Sequence, residues 1–174
     1  MILYVVRHGE TEAGEKGVIA DIKAKLTYKG IKQTLMLKDE INKLNIDIVY
    51  YSPISRTKQT LKLLNLKKNI IVIEDNRLKE RNMGIYENAK YNSIDWENFW
   101  SYNSETMYSG LETMKSVYKR VSDFLNELKA NKKEERILLI THGGVARAID
   151  WYFNGIDSKA KFDCQNCKVY KYKF

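Results

Sequence analysis

An apolar run near the start of the chain, residues 2–6, is followed without a break by Arg7, His8 and Gly9. A short run of this kind predicts a buried strand, and open α/β folds bind ligands at the carboxyl ends of such strands. Arg carries paired donors that match phosphoryl oxygens, and a neutral imidazole can act as a nucleophile. Gly lets a bound group approach the backbone. The pattern indicates a phosphate site, although a salt-bridged structural corner would use the same Arg-His pair.

The composition is that of one globular domain with a basic surface. The 174 residues, 44% of them hydrophobic, are enough to bury a single sizeable core, so we expect one domain over residues 1–174. Thirty Lys and Arg against 22 Asp and Glu give a net charge of +8, which suits an anionic ligand. The basic residues are spread along the chain without a run of five like charges, so nucleic acid is not the expected partner.

The sequence also bears on location and on metals. No stretch approaches the roughly 18 to 20 apolar residues that span a bilayer, and the predicted first strand differs from a signal peptide, so we expect a cytoplasmic protein. Cys164 and Cys167 form a Cys-x-x-Cys pair without a second pair or a nearby His. Structural zinc needs four ligands and a redox dithiol opens a helix early in a βα unit, so neither role is predicted.

Strands and helices are predicted to alternate. The strands fall at residues 2–6, 46–51, 70–74, 136–140 and 168–172, and the helices at 28–44, 53–66, 111–129 and 145–154. Thr27 and Ser52 are the expected N-caps of the first two helices, with Pro53 in the first turn of the second. Residues 12–25 indicate a loop. The alternation predicts an α/β fold with a doubly wound, largely parallel sheet flanked by helices.

Residues 86–110 are the least regular part of the chain, because aromatic residues there alternate with Asn and Ser. Trp96, Phe99 and Trp100 fall at helical spacing, which predicts a short helix that packs onto the body. The alternative is that the segment forms a lid or a wall of the substrate site.

The chain has only two histidines, His8 and His142, and each follows an apolar strand and precedes Gly. Neighbouring strand ends would bring both imidazoles to one pocket. Gly143 and Gly144 then open a helix, where free N–H groups favour an anion. Arg56 and Glu80 follow other predicted strands and reach the same edge. Each alone is typical of a surface residue, but together they suggest a third cation and a proton donor.

Five blocks together resemble the histidine phosphatase superfamily, which has the phosphoglycerate mutase-like fold. They are Arg7-His8-Gly9-Glu10-Thr11, Leu26-Thr27-x-x-Gly30-x-x-Gln33, Ser52-Pro53-Ile54-Ser55-Arg56-Thr57-x-Gln59-Thr60, Leu78-x-Glu80 with Gly84 and Glu87, and Thr141-His142-Gly143-Gly144. The blocks stand in the order that the family has them and span nearly the whole chain, and the set is highly specific. Within the family, the pattern is similar to small bacterial phosphatases such as the α-ribazole phosphatases.

The resemblance implies that His8 is phosphorylated in a covalent intermediate and that Glu80 donates a proton to the leaving oxygen. It also implies that the phosphoryl group is held by Arg7, Gly9, Thr11, Arg56, Arg81, His142 and Gly143. No metal or cofactor is implied. Two departures stand out: Gly14 replaces the usual Asn of the first block, and Tyr86-Glu87-Asn88 replaces the frequent Trp-Glu-Gly.

The expected function is therefore a phosphomonoesterase of the histidine acid phosphatase type, acting on a small phosphorylated metabolite. A phosphoglycerate mutase is the main alternative, since Glu80-Arg81 resembles the mutases, but residues 86–110 lack the paired arginines of those enzymes. A phosphoprotein phosphatase and a non-catalytic phosphate-ligand sensor also remain open.

Overall fold

The computed structural model describes residues 1–104, 110–131, 135–156 and 163–174. The strands are β1 (Ile2–Arg7), β2 (Ile48–Tyr51), β3 (Ile71–Glu74), β4 (Arg136–Thr141) and β5 (Val169–Lys173). The helices are α1 (Glu12–Glu15), α2 (Tyr28–Lys43), α3 (Ser55–Leu64), α4 (Trp96–Phe99), α5 (Met114–Asn131) and α6 (Gly143–Asn154). The strands form one sheet in the order β3-β2-β4-β1-β5, parallel except for β5 at the edge. The predicted fold class is confirmed.

The central strands β1 and β4 are apolar on both faces because helices cover both sides of the sheet. Leu3 and Val5 pack into a layer with α5 and α6, whereas Tyr4 and Val6 pack into a layer with α2 and α3. Each fully buried side chain of this size contributes about 1.5–3 kcal/mol. A strand that is buried on both faces has its register fixed by this packing, and so do the residues that follow it.

The register of β1 against β4 positions the predicted site. Arg7 lies opposite Thr141 in the parallel pair, so the next residues of the two strands, His8 and His142, leave the sheet side by side. The His8 backbone N–H still donates to the Thr141 carbonyl at 3.1 Å. The expectation that the two strand ends would be neighbours is confirmed.

Some predicted boundaries and caps are wrong. Helix α3 begins at Ser55, because residues 52–54 form a turn in which the Ser52 hydroxyl accepts from the Ile54 N–H at 3.3 Å. Helix α6 begins at Gly143, two residues earlier than predicted, and α1 lies inside the predicted loop, capped by Thr11. The Thr27 cap is confirmed, since its hydroxyl accepts from the Gly30 N–H at 3.0 Å. In the described ranges, no helix is both long and apolar enough to cross a membrane.

The irregular segment after residue 80 contains two short 3₁₀ turns, Gly84–Tyr86 and Tyr91–Ser93, and then α4; a third, Asn76–Leu78, lies just before it. The predicted short helix at Trp96 is therefore confirmed. Phe99 of this helix is buried together with Ile19, Met83 and Ile94 in a small apolar cluster that is separate from the two layers on the sheet. Residues 105–109, which the predicted segment includes, lie outside the described residues.

Candidate active site

The two imidazoles meet at the carboxyl ends of β1 and β4. The ring centroids of His8 and His142 are 5.1 Å apart at an interplanar angle of 63°, and both side chains are buried. His8 Nδ1 lies 2.7 Å from the Gly9 carbonyl oxygen, which can only accept, so Nδ1 carries the proton. His8 Nε2 then accepts from Arg56 Nε at 3.1 Å. The lone pair of a neutral imidazole is thus held on Nε2.

Burial and two cations keep both imidazoles neutral. Desolvation lowers the pKa of His8 well below its ordinary value, and the charges of Arg56 and Arg7 lower it further. The pKa of His142 is lowered by the same burial and by Arg56, His8 and Arg7. His142 Nε2 lies 2.8 Å from the Ser52 hydroxyl, whereas its buried Nδ1 has no hydrogen-bond partner among the described residues.

Arg7 and Arg56 place two guanidiniums beside His8. Arg7 donates through Nη1 to the Cys164 carbonyl at 2.8 Å, and Arg56 donates through Nη1 to the Asp21 carbonyl at 2.7 Å. Within the part of the chain that the structure describes, neither makes an ion pair with a carboxylate, and the buried Arg7 Nε has no partner. Burial lowers the pKa of Arg56. Two fixed cations without a carboxylate form a site that favours a dianion.

Glu80 faces the same cavity from the segment that follows β3. Its Oε1 accepts from the backbone N–H of Gly144 at 3.0 Å and from that of Arg81 at 2.9 Å. A Cβ at Gly144 would lie only 2.7 Å from this oxygen, so the glycine is required for the carboxyl group to reach the start of α6. A Cβ at Gly143 would meet nothing closer than 3.9 Å.

A cavity of about 410 Å³ opens over these groups. Six of the predicted site residues line it: Arg7, His8, Thr11, Arg56, Glu80 and Gly143. His142 is fully buried and lies against His8. Gly14, which stands where the family usually has Asn, also lines the cavity and lies beside the Tyr91 hydroxyl, which a Cβ at this position would approach to 3.9 Å.

Two predicted phosphate ligands, Gly9 and Arg81, donate hydrogen bonds to other groups of the protein. The Gly9 N–H donates to the Thr60 hydroxyl at 3.3 Å, and a Cβ at Gly9 would lie 2.5 Å from the Gly30 carbonyl oxygen. A glycine is therefore required at position 9 because the chain after β1 passes close to the backbone of α2. The buried Arg81 guanidinium donates to the Glu112 and Phe99 carbonyls. Neither Gly9 nor Arg81 is among the residues that line the cavity, so the structure does not bring these two together with the other predicted phosphate ligands.

Several cavity residues were missed by the sequence reasoning. Arg147, Asp163, Cys164 and Asn166 contribute to the lining, and Asn166 also donates to the His8 carbonyl at 2.6 Å. Arg147 lies one helical turn beyond Gly143, so the spacing of i and i+4 places it on the same face of α6 and could have been noticed. The stretch before β5 carries no pattern that predicts its place beside β1.

Comparison with known proteins gives one family. A model described as the histidine phosphatase superfamily (branch 1) matches residues 3–174. A metal-independent phosphoserine phosphatase of Arabidopsis thaliana is 33% identical over 159 residues, which cover 84% of this chain and 66% of that protein. Phosphoserine phosphatase 1 of Hydrogenobacter thermophilus is 27% identical, covering 94% and 82%. The α-ribazole phosphatase of Shigella flexneri shares the fold, with a TM-score of 0.81 at 23% identity, covering 98% and 89%.

Proposed function

Because the chain belongs to the histidine phosphatase superfamily, we propose that it is a phosphomonoesterase that hydrolyses small phosphorylated metabolites through a phosphohistidine on His8. The observation that carries the proposal is the contact between His8 Nε2 and Arg56 Nε, at 3.1 Å, within a pair of guanidiniums that lack a carboxylate partner in the described chain. A neutral nucleophile and a cationic surround are what transfer of a phosphoryl dianion requires.

In the first half-reaction, the lone pair on His8 Nε2 forms a bond to phosphorus as the bond to the ester oxygen breaks. We assign Glu80 the role of proton donor to the departing oxygen, so that the product leaves as a neutral alcohol. Arg7 and Arg56 bind the equatorial oxygens, where negative charge accumulates. His142, whose ring lies beside that of His8, is the third group that we assign to the phosphoryl oxygens.

In the second half-reaction, water attacks the phosphohistidine and the P–N bond breaks, which returns the electron pair to His8. The Glu80 carboxylate takes the proton from the attacking water and is thereby ready for the next cycle. Inorganic phosphate leaves. Residues 1–174 act as one catalytic domain in this scheme, and each step uses only groups that line the cavity or touch His8.

The relatives support this chemistry and a small substrate. Two of them are phosphoserine phosphatases, and one of these is described as metal-independent. A phosphoglycerate mutase stays the alternative, since a probable mutase of Shigella dysenteriae is 28% identical over 148 residues. We favour the phosphatase because Arg81, half of the Glu80-Arg81 pair, donates to backbone carbonyls and does not line the cavity.

The experiment measures phosphate released from phosphoserine, glycerol 3-phosphate, ribose 5-phosphate and 3-phosphoglycerate, the last also with a bisphosphate primer. The wild-type protein is expected to release phosphate from at least one, without forming 2-phosphoglycerate. A labelled substrate should leave base-stable, acid-labile phosphate on the protein. His8→Ala, checked for folding by circular dichroism, should lose both signals. Unchanged turnover in His8→Ala, or no release from any monoester, would refute the proposal.

A further inference from the structure

The cavity is larger than a phosphoryl group needs, and one side of it is aromatic. Tyr91, Trp96 and Trp100 contribute to the lining, and we call these three residues the aromatic wall. Tyr91 is 37% exposed and Trp96 is 38% exposed. Large aromatic side chains are normally covered, so rings that are more than a third exposed at a cavity indicate a surface that a ligand covers.

The aromatic wall is anchored from behind. Ile94 and Phe99, which come from the same segment, are buried in the small apolar cluster beneath it. Arg81 donates to the Phe99 carbonyl, and its guanidinium lies 4.7 Å from the centre of the Phe99 ring. The buried side chains therefore hold the segment in place, while Tyr91 and Trp96 each keep more than a third of their surface exposed.

The rings of the wall hold one another in fixed orientations. Trp96 Nε1 donates to the Tyr91 carbonyl at 3.1 Å, and the two rings meet edge to face with centroids 5.4 Å apart. The indoles of Trp96 and Trp100 are nearly parallel, at 15°, with centroids 6.3 Å apart. Arg147 lies 5.3 Å from the centre of the Trp100 ring. Rings that are already ordered lose little entropy when a flat ligand stacks on them.

The size of the cavity agrees with a two-part ligand. At about 410 Å³ it falls in the range of pockets that hold molecules of drug size. Arg7, His8 and Arg56 account for the end that would hold the phosphoryl group, and they leave the space beside the aromatic wall for the alcohol part of the ester.

We propose that the preferred substrates are phosphomonoesters whose alcohol carries a flat aromatic ring, of the kind found in a nucleoside 5′-monophosphate, and that Trp96 is the main stacking partner of that ring. This inference rests on the proposed phosphatase function and adds the substrate class to it. Base stacking on an aromatic side chain strengthens binding by roughly 5- to 150-fold per base. The stacked ring lies away from the reacting phosphorus, so the gain should appear in KM more than in kcat.

The experiment compares adenosine 5′-monophosphate with ribose 5-phosphate, which present the same primary phosphate with and without a base. We expect the wild-type kcat/KM to be about 10-fold or more higher for the nucleotide. Trp96→Ala should bring the ratio close to one by raising KM for the nucleotide, with little change for ribose 5-phosphate. Trp96→Phe should keep most of the preference. Tyr28→Ala is the matched control, because Tyr28 is an aromatic residue that is 73% exposed on α2 and does not line the cavity.

The outcomes are distinguishable. Equal kcat/KM values for the two substrates in the wild-type protein would overturn the substrate class while leaving the phosphatase function intact, and so would a Trp96→Ala variant that loses both activities equally but is folded. Failure to release phosphate from either substrate would overturn both proposals. If Trp96→Ala does not fold, Trp96→Phe still tests the proposal. Loss of the preference for adenosine 5′-monophosphate over ribose 5-phosphate in Trp96→Phe would show that ring stacking is not the source of the preference.

Discussion

The phosphate end of the site, by which we mean Arg7, His8, Arg56, Glu80 and His142, and the aromatic wall are positioned by different kinds of structure. His8 and His142 follow two parallel strands whose register is fixed by packing on both faces, and both are buried. Trp96 and Tyr91 stand on a segment of single turns, and more than a third of each side chain is exposed. The groups that would meet the phosphate are thus placed by the sheet, whereas those that would meet the alcohol are placed by a segment outside it.

The difference teaches how one fold can serve several substrates. Every phosphomonoester presents the same dianion, so the groups that bind it can be fixed by backbone register. The alcohol differs between substrates, and a segment with its own small core can change without moving β1 against β4. If this division is real, substitutions at the two ends should differ in kind: those at the phosphate end should alter the chemical step and those at the wall should alter stability or substrate preference.

The largest effect is expected for Glu80→Gln at the phosphate end. The amide cannot give a proton to the leaving oxygen, so kcat for an alkyl phosphate should fall by roughly 10²- to 10⁴-fold. The phenolate of p-nitrophenyl phosphate needs little protonation, and kcat for this substrate should fall by less than about 10-fold. Steady-state kinetics on both substrates measure the contrast. Equal losses would show that Glu80 acts by position alone.

Arg81→Met tests the support of the aromatic wall. The variant keeps much of the side-chain length but leaves the Glu112 and Phe99 carbonyls without their donor, which should lower the free energy of unfolding by about 2–4 kcal/mol. Arg77→Met is the control, because its ion pairs with Asp75 and Glu127 are partly exposed and should contribute only about 1 kcal/mol.

Urea unfolding gives the free energy of unfolding of both variants. The kinetics of Arg81→Met then decide whether Arg81 supports the aromatic wall or binds phosphate. A folded variant should keep kcat for p-nitrophenyl phosphate within about 3-fold of the wild type, since the guanidinium donates away from the cavity. A much larger loss of kcat with unchanged stability would restore Arg81 as a phosphate ligand and would weaken the contrast between the two ends.

Gly144→Ala returns to the phosphate end with a smaller change. The added Cβ would lie 2.7 Å from Glu80 Oε1 and should displace the carboxyl group, lowering kcat for an alkyl phosphate by roughly 10- to 100-fold. Gly143→Ala is the matched comparison, because the atoms nearest to a Cβ at this position would be 3.9 Å away, an ordinary van der Waals distance. This variant should keep the wild-type contrast between leaving groups. An unaltered contrast in Gly144→Ala would mean that the carboxyl group adapts.

The sequence predicted the phosphate end better than the wall for a physical reason. Apolar runs identify β1 and β4 directly, and a parallel pair necessarily brings the residues that follow them to one edge, so His8 and His142 could be placed together. The direction of a side chain in an irregular segment follows from no such rule. The resemblance implied that Arg81 binds the anion, whereas in the structure its guanidinium donates to the Phe99 carbonyl. Ser52 was predicted as a helix cap, whereas its hydroxyl lies beside His142.

The smallest effect concerns pH and again separates the two ends. The folded-state pKa of His8 is lowered, so below about pH 6.5 the unfolded chain takes up a proton that the folded chain does not. The stabilisation is therefore present above pH 6.5 and is lost as the pH falls towards the folded-state pKa, by at most about 1.4 kcal/mol per pH unit for each such histidine.

His8→Asn removes this titration and can keep a side-chain donor to the Gly9 carbonyl. Its free energy of unfolding, measured in urea at pH 7.5, 6.5 and 5.5, should fall less steeply with acid than that of the wild type, by up to about 1.4 kcal/mol per pH unit. Trp96→Ala is the control from the aromatic wall, where the described residues include no histidine, and it should keep the wild-type slope. The same slope in all three proteins would mean that His8 takes up its proton equally in both states. The two rings would then not share a desolvated site, and the contrast between a buried phosphate end and an open wall would fail.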